Sequence, residues 1–458
     1  MSSRRHAASF RDPSGFLFAR EGVLYRQVNE CYRGHYDLLR ASGLYDDLVG
    51  RGLMLAHDEV AADLADEPPA YKVLRPRVAE FISYPFEWCF SQLKDAALAT
   101  LEIQALAVDK GMTLKDASAY NIAFHRGRPM LIDTLSFEAM PQPRPWVAYR
   151  QFCQHFLAPL ALAARRDMRL TQLLRVHIDG VPLDLASRLL DWRSRLGSGL
   201  LIHLHLHARC QRRHQHDAAP PPATRAMSRQ GLLGLLDNLR AAVQGLTWKP
   251  RGSEWAGYYD DTNYSPRARE EKKRIVAEMI AQAAPDRVWD LGANTGVFSR
   301  LASEKGAFTA AFDMDAAAVE AAYLDARRRG DERLLPLVMD LSNPSGAMGW
   351  AGQERMSLDQ RGPADLVLAL ALVHHLAISN NVPLRQVAQY FARLGRRLII
   401  EFVPKSDSQV QRLLASREDV FGDYTQEAFE RDFGEFFVTT RREAIADTQR
   451  TLYAMTAR

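Results

Sequence analysis

Arg287-Val288-Trp289-Asp290-Leu291-Gly292-Ala293-Asn294-Thr295-Gly296 is the stretch on which the fold turns. A short apolar run ends in a carboxylate, and a glycine-rich turn leads into an amphipathic segment over 297–305. Glycine lets the backbone bend sharply and approach a ligand closely. The spacing is not G-x-G-x-x-G, so a pyrophosphate-bearing dinucleotide is not the natural ligand. An Asp opening the loop repels phosphate and suits a ligand with a cationic or hydroxyl-bearing group.

Outward from this turn, strand and helix signals alternate. Residues 308–312, 334–339, 365–370 and 397–402 read as buried strands, and 316–329 and 384–394 as helices. Such alternation predicts an α/β domain with a parallel sheet covered by helices on both faces. Ligands of these sheets lie beyond the carboxyl ends of the strands. Asp313 closes the second strand about 20 residues after the loop, where a carboxylate can take both hydroxyls of a ribose. Asp340 ends the third strand, placed to meet an adenine amino group. The competing reading makes these strand-ending acids helix caps.

The segment 255–402 resembles the cofactor-binding region of class I S-adenosylmethionine-dependent methyltransferases, a Rossmann-like family. The resemblance implies that Gly292 and Gly296, with Asn294 between them, line S-adenosyl-L-methionine. It further implies that Asp290 faces the amino-acid moiety, Asp313 holds the ribose and Asp340 approaches the adenine, with Asp315 the second candidate for the ribose. The fourth strand runs into His374-His375, at the end that faces the transferable methyl; a histidine there can act as general base. Adjacent side chains cannot both point one way, so at most one of the two is catalytic, and packing against the next helix is the rival role. Upstream, Tyr258, Asn263 and Tyr264 belong to an aromatic segment that either folds over the cofactor or seals a domain boundary. Glu401, ending the fifth strand, either touches the acceptor or caps a helix. Asn343-Pro344 follows strand three and lacks the aromatic of the amino-methylase motif, so that function is not transferred.

The first half carries a different pattern. Lys115-Asp116 stands five residues before Asn121, on a loop leading into a hairpin over 122–133 whose second strand ends in Asp133. This resembles the catalytic loop and metal-binding Asp of the protein-kinase-like fold, which implies Asp116 as base, Asn121 and Asp133 as Mg²⁺ ligands, and ATP as the nucleotide. Residues 88–109 read as the preceding long helix and Phe81-Ile82-Ser83-Tyr84-Pro85 as a hinge strand. There are departures: no glycine-rich phosphate loop, Arg26 on the strand where a kinase has its Lys, and Asp133-Thr134-Leu135 in place of Asp-Phe-Gly. The domain is read as α+β and either nucleotide-binding or a scaffold. His203, His205 and His207 read as packed helical residues rather than metal ligands.

Charge followed by Pro220-Pro221-Pro222 marks 209–226 as a linker. It separates a kinase-like or substrate-positioning domain over 1–208 from a methyltransferase domain over 227–458, whose first helix, 227–246, is read as docking on the second domain. With 458 residues and 47% hydrophobic content the chain is globular and holds two large domains. A net charge of +4 gives no electrostatic argument for nucleic acid or membrane. Cys31, Cys89, Cys153 and Cys210 lie far apart, without zinc spacing, which fits a reducing cytoplasm. No apolar run is long enough to cross a bilayer. Together these readings predict a cytoplasmic methyltransferase acting on an unidentified small-molecule or metabolite acceptor, with a bifunctional methyltransferase–phosphotransferase and a non-catalytic scaffold as the alternatives. The whole chain also resembles bacterial proteins grouped with a rhizobial nodulation methyltransferase.

Overall fold

A computed structural model describes residues 4–67, 69–140, 142, 144–209, 227–250, 264–415 and 418–458. The chain divides into two compact units, Met1–Lys249 with Gly349–Arg355, and Pro250–Met348 with Met356–Arg458.

In the first unit, β1 (Arg4–Arg5), β2 (Gly15–Arg20), β3 (Val23–Asn29), β4 (His57–Val60) and β5 (Ala70–Pro76) form an antiparallel sheet in the order β1-β2-β3-β5-β4. Helix α1 (Phe90–Asp109) follows, long and buried along much of its length. It is tied to β6 (Met112–Leu114) by Gln104, which is fully buried; its Nε2 donates to Thr113 Oγ1 at 2.9 Å and its Oε1 accepts from Leu114 N at 2.7 Å. A buried amide satisfied on both sides fixes the angle at which a strand leaves a helix. Next come the hairpin β7 (Ile122–His125) and β8 (Arg128–Leu131), then β9 (Phe137–Ala139), which pairs with β6.

Residues 81–85 are not a strand. Pro85 opens a 3₁₀ turn, Pro85–Glu87, and Tyr84 N donates to Glu87 Oε2 at 2.9 Å, so the backbone turns where a ladder would have to continue.

Helix α2 (Arg229–Gly245) also departs from the sequence reading. It packs on α1 inside the first unit: Lys94 Nζ donates to the carbonyls of Gln244 and Leu246, each at 2.8 Å, and Leu232, Leu236, Leu239 and Val243 are buried. An amphipathic stripe announces that a helix packs, not which partner it packs on. The linker read at 209–226 falls, after Arg209, outside the described residues.

The second unit opens with α3 (Pro266–Ala283) and builds a seven-stranded sheet. Its strands are β10 (Arg287–Leu291), β11 (Phe308–Asp313), β12 (Leu334–Val338), β13 (Leu366–Ala369), β14 (Arg397–Phe402), β15 (Phe437–Ala444) and β16 (Thr451–Ala457). The order is β12-β11-β10-β13-β14-β16-β15; the first five are parallel, β16 runs antiparallel to β14, and β15 antiparallel to β16. This is the α/β class with a parallel sheet that the sequence predicts. Strands β10, β11, β13 and β14 are buried almost throughout, as strands covered on both faces must be. From α3, Ile275, Val276, Met279 and Ile280 join Val288, Leu368, Ile399 and Leu452 in one core. Helices α4 (Ala316–Arg329) and α5 (Leu384–Leu394) keep the bounds read from the sequence. The terminal hairpin β15–β16 has no counterpart in that reading.

The sheet order reverses direction at β10: β11 and β12 extend to one side, β13 and β14 to the other. The crevice at such a reversal, beyond the carboxyl ends of β10 and β13, is where an open α/β sheet can take a ligand.

Leu239→Ala is expected to destabilise the protein by about 2–5 kcal/mol, read as a lowered urea midpoint, because it empties a fully buried site on the packed face of α2. A change under about 0.5 kcal/mol, the range of surface substitutions, would mean that α2 is not packed there.

Candidate functional site

A cavity of about 370 Å³ lies at that reversal point. Its wall includes Asp290, Gly292 and Asn294 at the end of β10, Asp313 and Met314 at the end of β11, and residues 339–342 and 370–372 after β12 and β13. The loop's shape follows from its backbone. Gly292 and Ala293 donate N–H to the carbonyl of Phe312 at 2.8 and 2.9 Å, which folds the turn back onto β11. Gly292 holds φ +75°, and a Cβ there would stand 3.2 Å from Leu372 Cδ1, so bare backbone faces the cavity. Gly296 also has positive φ but does not line the cavity; it sets the turn into the next helix, its carbonyl accepting from Arg300 N at 3.0 Å.

The acids have distinct environments. Asp290 is buried, and burial pushes its carboxyl up to about 7; the hydrogen bond from Ser299 Oγ, at 2.6 Å, opposes that and the nearby Asp313 adds to it. Asp313 is pushed up to about 6, again by burial, against backbone N–H bonds that favour its ionised form. Asn294 N donates to Oδ2 at 2.7 Å and Asp315 N to Oδ1 at 2.8 Å. Asp315, the second candidate for the ribose, does not line the cavity; it caps α4, accepting from Ala317 N at 2.8 Å. Asp340 lines the cavity with one carboxylate oxygen bound to Ser342 N and Oγ at 2.8 and 2.6 Å.

The two histidine rings lie side by side but differ in access to the cavity. His375 reaches the cavity, while His374 is fully buried behind it, with ring centroids 4.2 Å apart. Burial, aided by the charge of Arg450, pushes His375 down to about 4, so its imidazole is neutral at physiological pH. His374 is held well below its usual range by burial, then by His375, Arg450 and Lys272. Neither ring nitrogen of His374 has a hydrogen-bond partner among the described residues.

One group escaped the sequence reading. Lys272 from α3, Glu401 from β14 and Arg450 just before β16 form a buried ion cluster, their side chains 6%, 0% and 1% exposed. Lys272 Nζ donates to Glu401 Oε2 at 2.6 Å; Arg450 Nη1 lies 3.6 Å from Glu401 Oε1, and its Nε donates to Asp407 Oδ2 at 2.7 Å. Tyr264 sits among them, its hydroxyl donating to Glu401 and accepting from Arg450 at 2.8 Å and from Lys272 at 3.2 Å. Burial alone would raise the Glu401 carboxyl, but the charges of Lys272 and Arg450 outweigh it and keep the group ionised. Tyr264 and Lys272 both line the cavity, so the cluster is its rear wall. Only the buried position of Glu401, at a strand end, hinted at it. Tyr258 and Asn263 lie outside the described residues.

The first-unit candidates converge on the hydroxyl of Ser136, which is fully buried. It donates to Asp133 Oδ2 at 3.0 Å and accepts from Asn121 Nδ2 at 3.3 Å. Asp116 stands apart, its Oδ1 accepting from Ser118 N at 2.9 Å and Gln151 Nε2 at 2.7 Å. The histidine trio diverges. His203 contacts the Tyr149 hydroxyl and Asn238 Oδ1 at 2.8 and 2.7 Å, His205 contacts Ser187 and Ser194 at 2.8 Å each, and His207 stacks on Tyr149. Among the described residues no group of three or more His, Cys, Asp or Glu is placed to hold a metal ion. Nor is any helix among them long and apolar enough to cross a membrane.

No family model matches the chain. The nodulation protein NoeA of Rhizobium meliloti strain 1021 is 36% identical over 456 residues, spanning 98% of this chain and 95% of that protein. Among solved structures, magnesium protoporphyrin IX methyltransferase (ChlM) of Synechocystis PCC 6803 aligns with 44% of this chain and 92% of its own, at 17% identity and a TM-score of 0.33. The N-methyltransferase NodS of Bradyrhizobium japonicum WM9 aligns with 42% and 98%, at 12% and 0.32. The bifunctional kinase-methyltransferase WbdD aligns with 43% of this chain and 41% of its own, at 15% and 0.30. At these TM-scores the likenesses carry no weight beside the strand order itself.

Glu401→Gln is expected to destabilise the protein by about 3–5 kcal/mol, because it leaves Lys272 and Arg450 buried without their shared anion. Adding Lys272→Met should recover part of that loss. Urea unfolding of both single variants and the double checks this; a double whose loss equals the sum of the two single losses would show that the pair is not coupled.

Proposed function

The chain belongs to the family of the nodulation protein NoeA, and we propose that its second unit is a methyltransferase that uses S-adenosylmethionine. The observation that carries this reading is the cavity at the sheet reversal, where Asp290, Asp313 and Asp340 stand after three successive strands around the bare backbone of Gly292. The residues present fit such a ligand. Backbone N–H bonds from Asn294 and Asp315 hold the two Asp313 oxygens at the cavity wall, where the carboxylate can accept from a ribose hydroxyl. Met314, 66% exposed beside Asp313, offers an apolar cover for a flat base. Asp340 stands near the base edge. Asp290 and Lys272 present opposite charges to the amino-acid end, and Gly296 shapes the turn without contact.

When bound, S-adenosylmethionine supplies a sulfonium-activated methyl group for in-line transfer, a reaction governed by positioning and alignment. His375, neutral above about pH 4, takes the proton that the acceptor's oxygen or nitrogen gives up. His374 packs behind His375 and fixes its ring. Leu370, Leu372 and Leu376 keep water from the reacting end. The acceptor is an unidentified small molecule.

Isothermal titration of the full chain with S-adenosylhomocysteine tests the reading. Binding is expected, and Asp313→Ala should weaken it at least tenfold, about 1.4 kcal/mol. Absence of binding at millimolar ligand would overturn the assignment.

The acids also set a pH dependence. A ligand bearing an ammonium group favours the ionised forms of Asp290 and Asp313, which titrate at about 7 and about 6 in the free protein. Binding therefore releases protons, and affinity should rise as pH goes from 5.5 to 7.5, by up to about tenfold per unit for each proton released. Titrations in buffers of different ionisation enthalpy count those protons; a flat profile would remove both acids from the ligand's surroundings.

A further inference from the structure

The kinase-like resemblance of residues 116–133 implies a divalent cation on Asn121 and Asp133, and the side chains present do not fit one. Asp133 already has three partners, one of them a permanent cation. Its Oδ1 lies 2.6 Å from Arg26 Nη1 and accepts from Leu135 N at 3.1 Å, while its Oδ2 accepts from Ser136 Oγ at 3.0 Å. Asn121 Nδ2 donates to the same Ser136 hydroxyl at 3.3 Å. The neighbouring cation, Lys115, is tied to Ser14 Oγ at 2.8 Å and to Asp12 at 3.4 Å. The Arg26 and Asp133 side chains are only 12% and 15% exposed, so solvent screens the pair weakly. A metal ion arriving there would meet a carboxylate already neutralised, with a permanent positive charge beside it.

We infer that Arg26 is the resident cation of this site. Its guanidinium supplies, against Asp133, the positive charge that the resemblance gives to a metal, and it holds the Asp133–Ser136–Asn121 turn without metal or nucleoside triphosphate. Two features support this assignment besides the ion pair. Arg26 lies on β3, the central strand of its sheet, paired with Leu17 on one side and Leu74 on the other, so its side chain springs from fixed backbone. Asp116, which the resemblance makes a base, is clamped by Gln151, whose Oε1 also accepts from Ala117 N at 2.7 Å. The first unit is accordingly a scaffold with respect to phosphoryl transfer.

Electron paramagnetic resonance of Mn²⁺ on the full chain, with and without ATP, tests this. The wild type is expected to bind no more Mn²⁺ than Asp133→Asn. Arg26→Ala should gain one bound Mn²⁺ per chain, the double variant Arg26→Ala/Asp133→Asn should lose it again, and Arg26→Lys, which keeps a cation, should gain none. Should Arg26→Ala fail to fold, Arg26→Gln, which can still hydrogen-bond Asp133, takes its place with the same readings. A wild type that binds one Mn²⁺ in the presence of ATP and loses it in Asp133→Asn would overturn the inference, as would a folded Arg26→Ala or Arg26→Gln that gains none.

Discussion

The buried cluster of Lys272, Glu401 and Arg450 is the interaction on which the second unit depends. It draws together the helix that precedes the sheet, the end of a central strand and the approach to the terminal hairpin, elements that no other charge pair joins so deeply among the described residues. Two cations share one carboxylate in a dry interior, Asp407 balances the second, and the Tyr264 hydroxyl completes the hydrogen bonding. A buried ion pair of this kind is weak evidence for stability but strong evidence for geometry, because any rearrangement strands a charge away from water. The rear wall of the cavity is therefore fixed before any ligand arrives.

Against that fixed wall stand two acids with raised pKa values. Burial makes ionised Asp290 and Asp313 costly, so a positive charge brought beside them would favour their ionised forms. For His375 the sign is opposite: burial and the charge of Arg450 keep its imidazole neutral. Cationic and anionic groups thus serve one end through charge that is deliberately incomplete, while the other end is uncharged and lined by leucines.

The first unit organises its polar groups around a hydroxyl rather than around a charge. Ser136 links Asp133 to Asn121, and its carbonyl accepts from Lys115 N at 2.8 Å, so one buried residue closes three turns. The sequence offered Asp116, Asn121 and Asp133 as partners in one reaction. In space, Asn121 and Asp133 meet at Ser136, whereas Asp116 is held by Gln151.

What the sequence determined by itself is local: the strands and helices of the parallel sheet, the glycine-rich turn after β10 and the acids at the strand ends, because period, turn chemistry and capping are properties of neighbouring residues. It could not foresee that Lys272 would meet Glu401, that Arg26 would neutralise Asp133, or that helix 229–245 would pack on the helix of residues 90–109 instead of the second domain. Those partners lie a hundred or more residues away along the chain, and an isolated Lys, Arg or leucine stripe carries no mark of what will face it. Only the tertiary structure decided them, because burial, which turns a charge from a solvated surface group into a constraint, exists only once distant segments have closed over it.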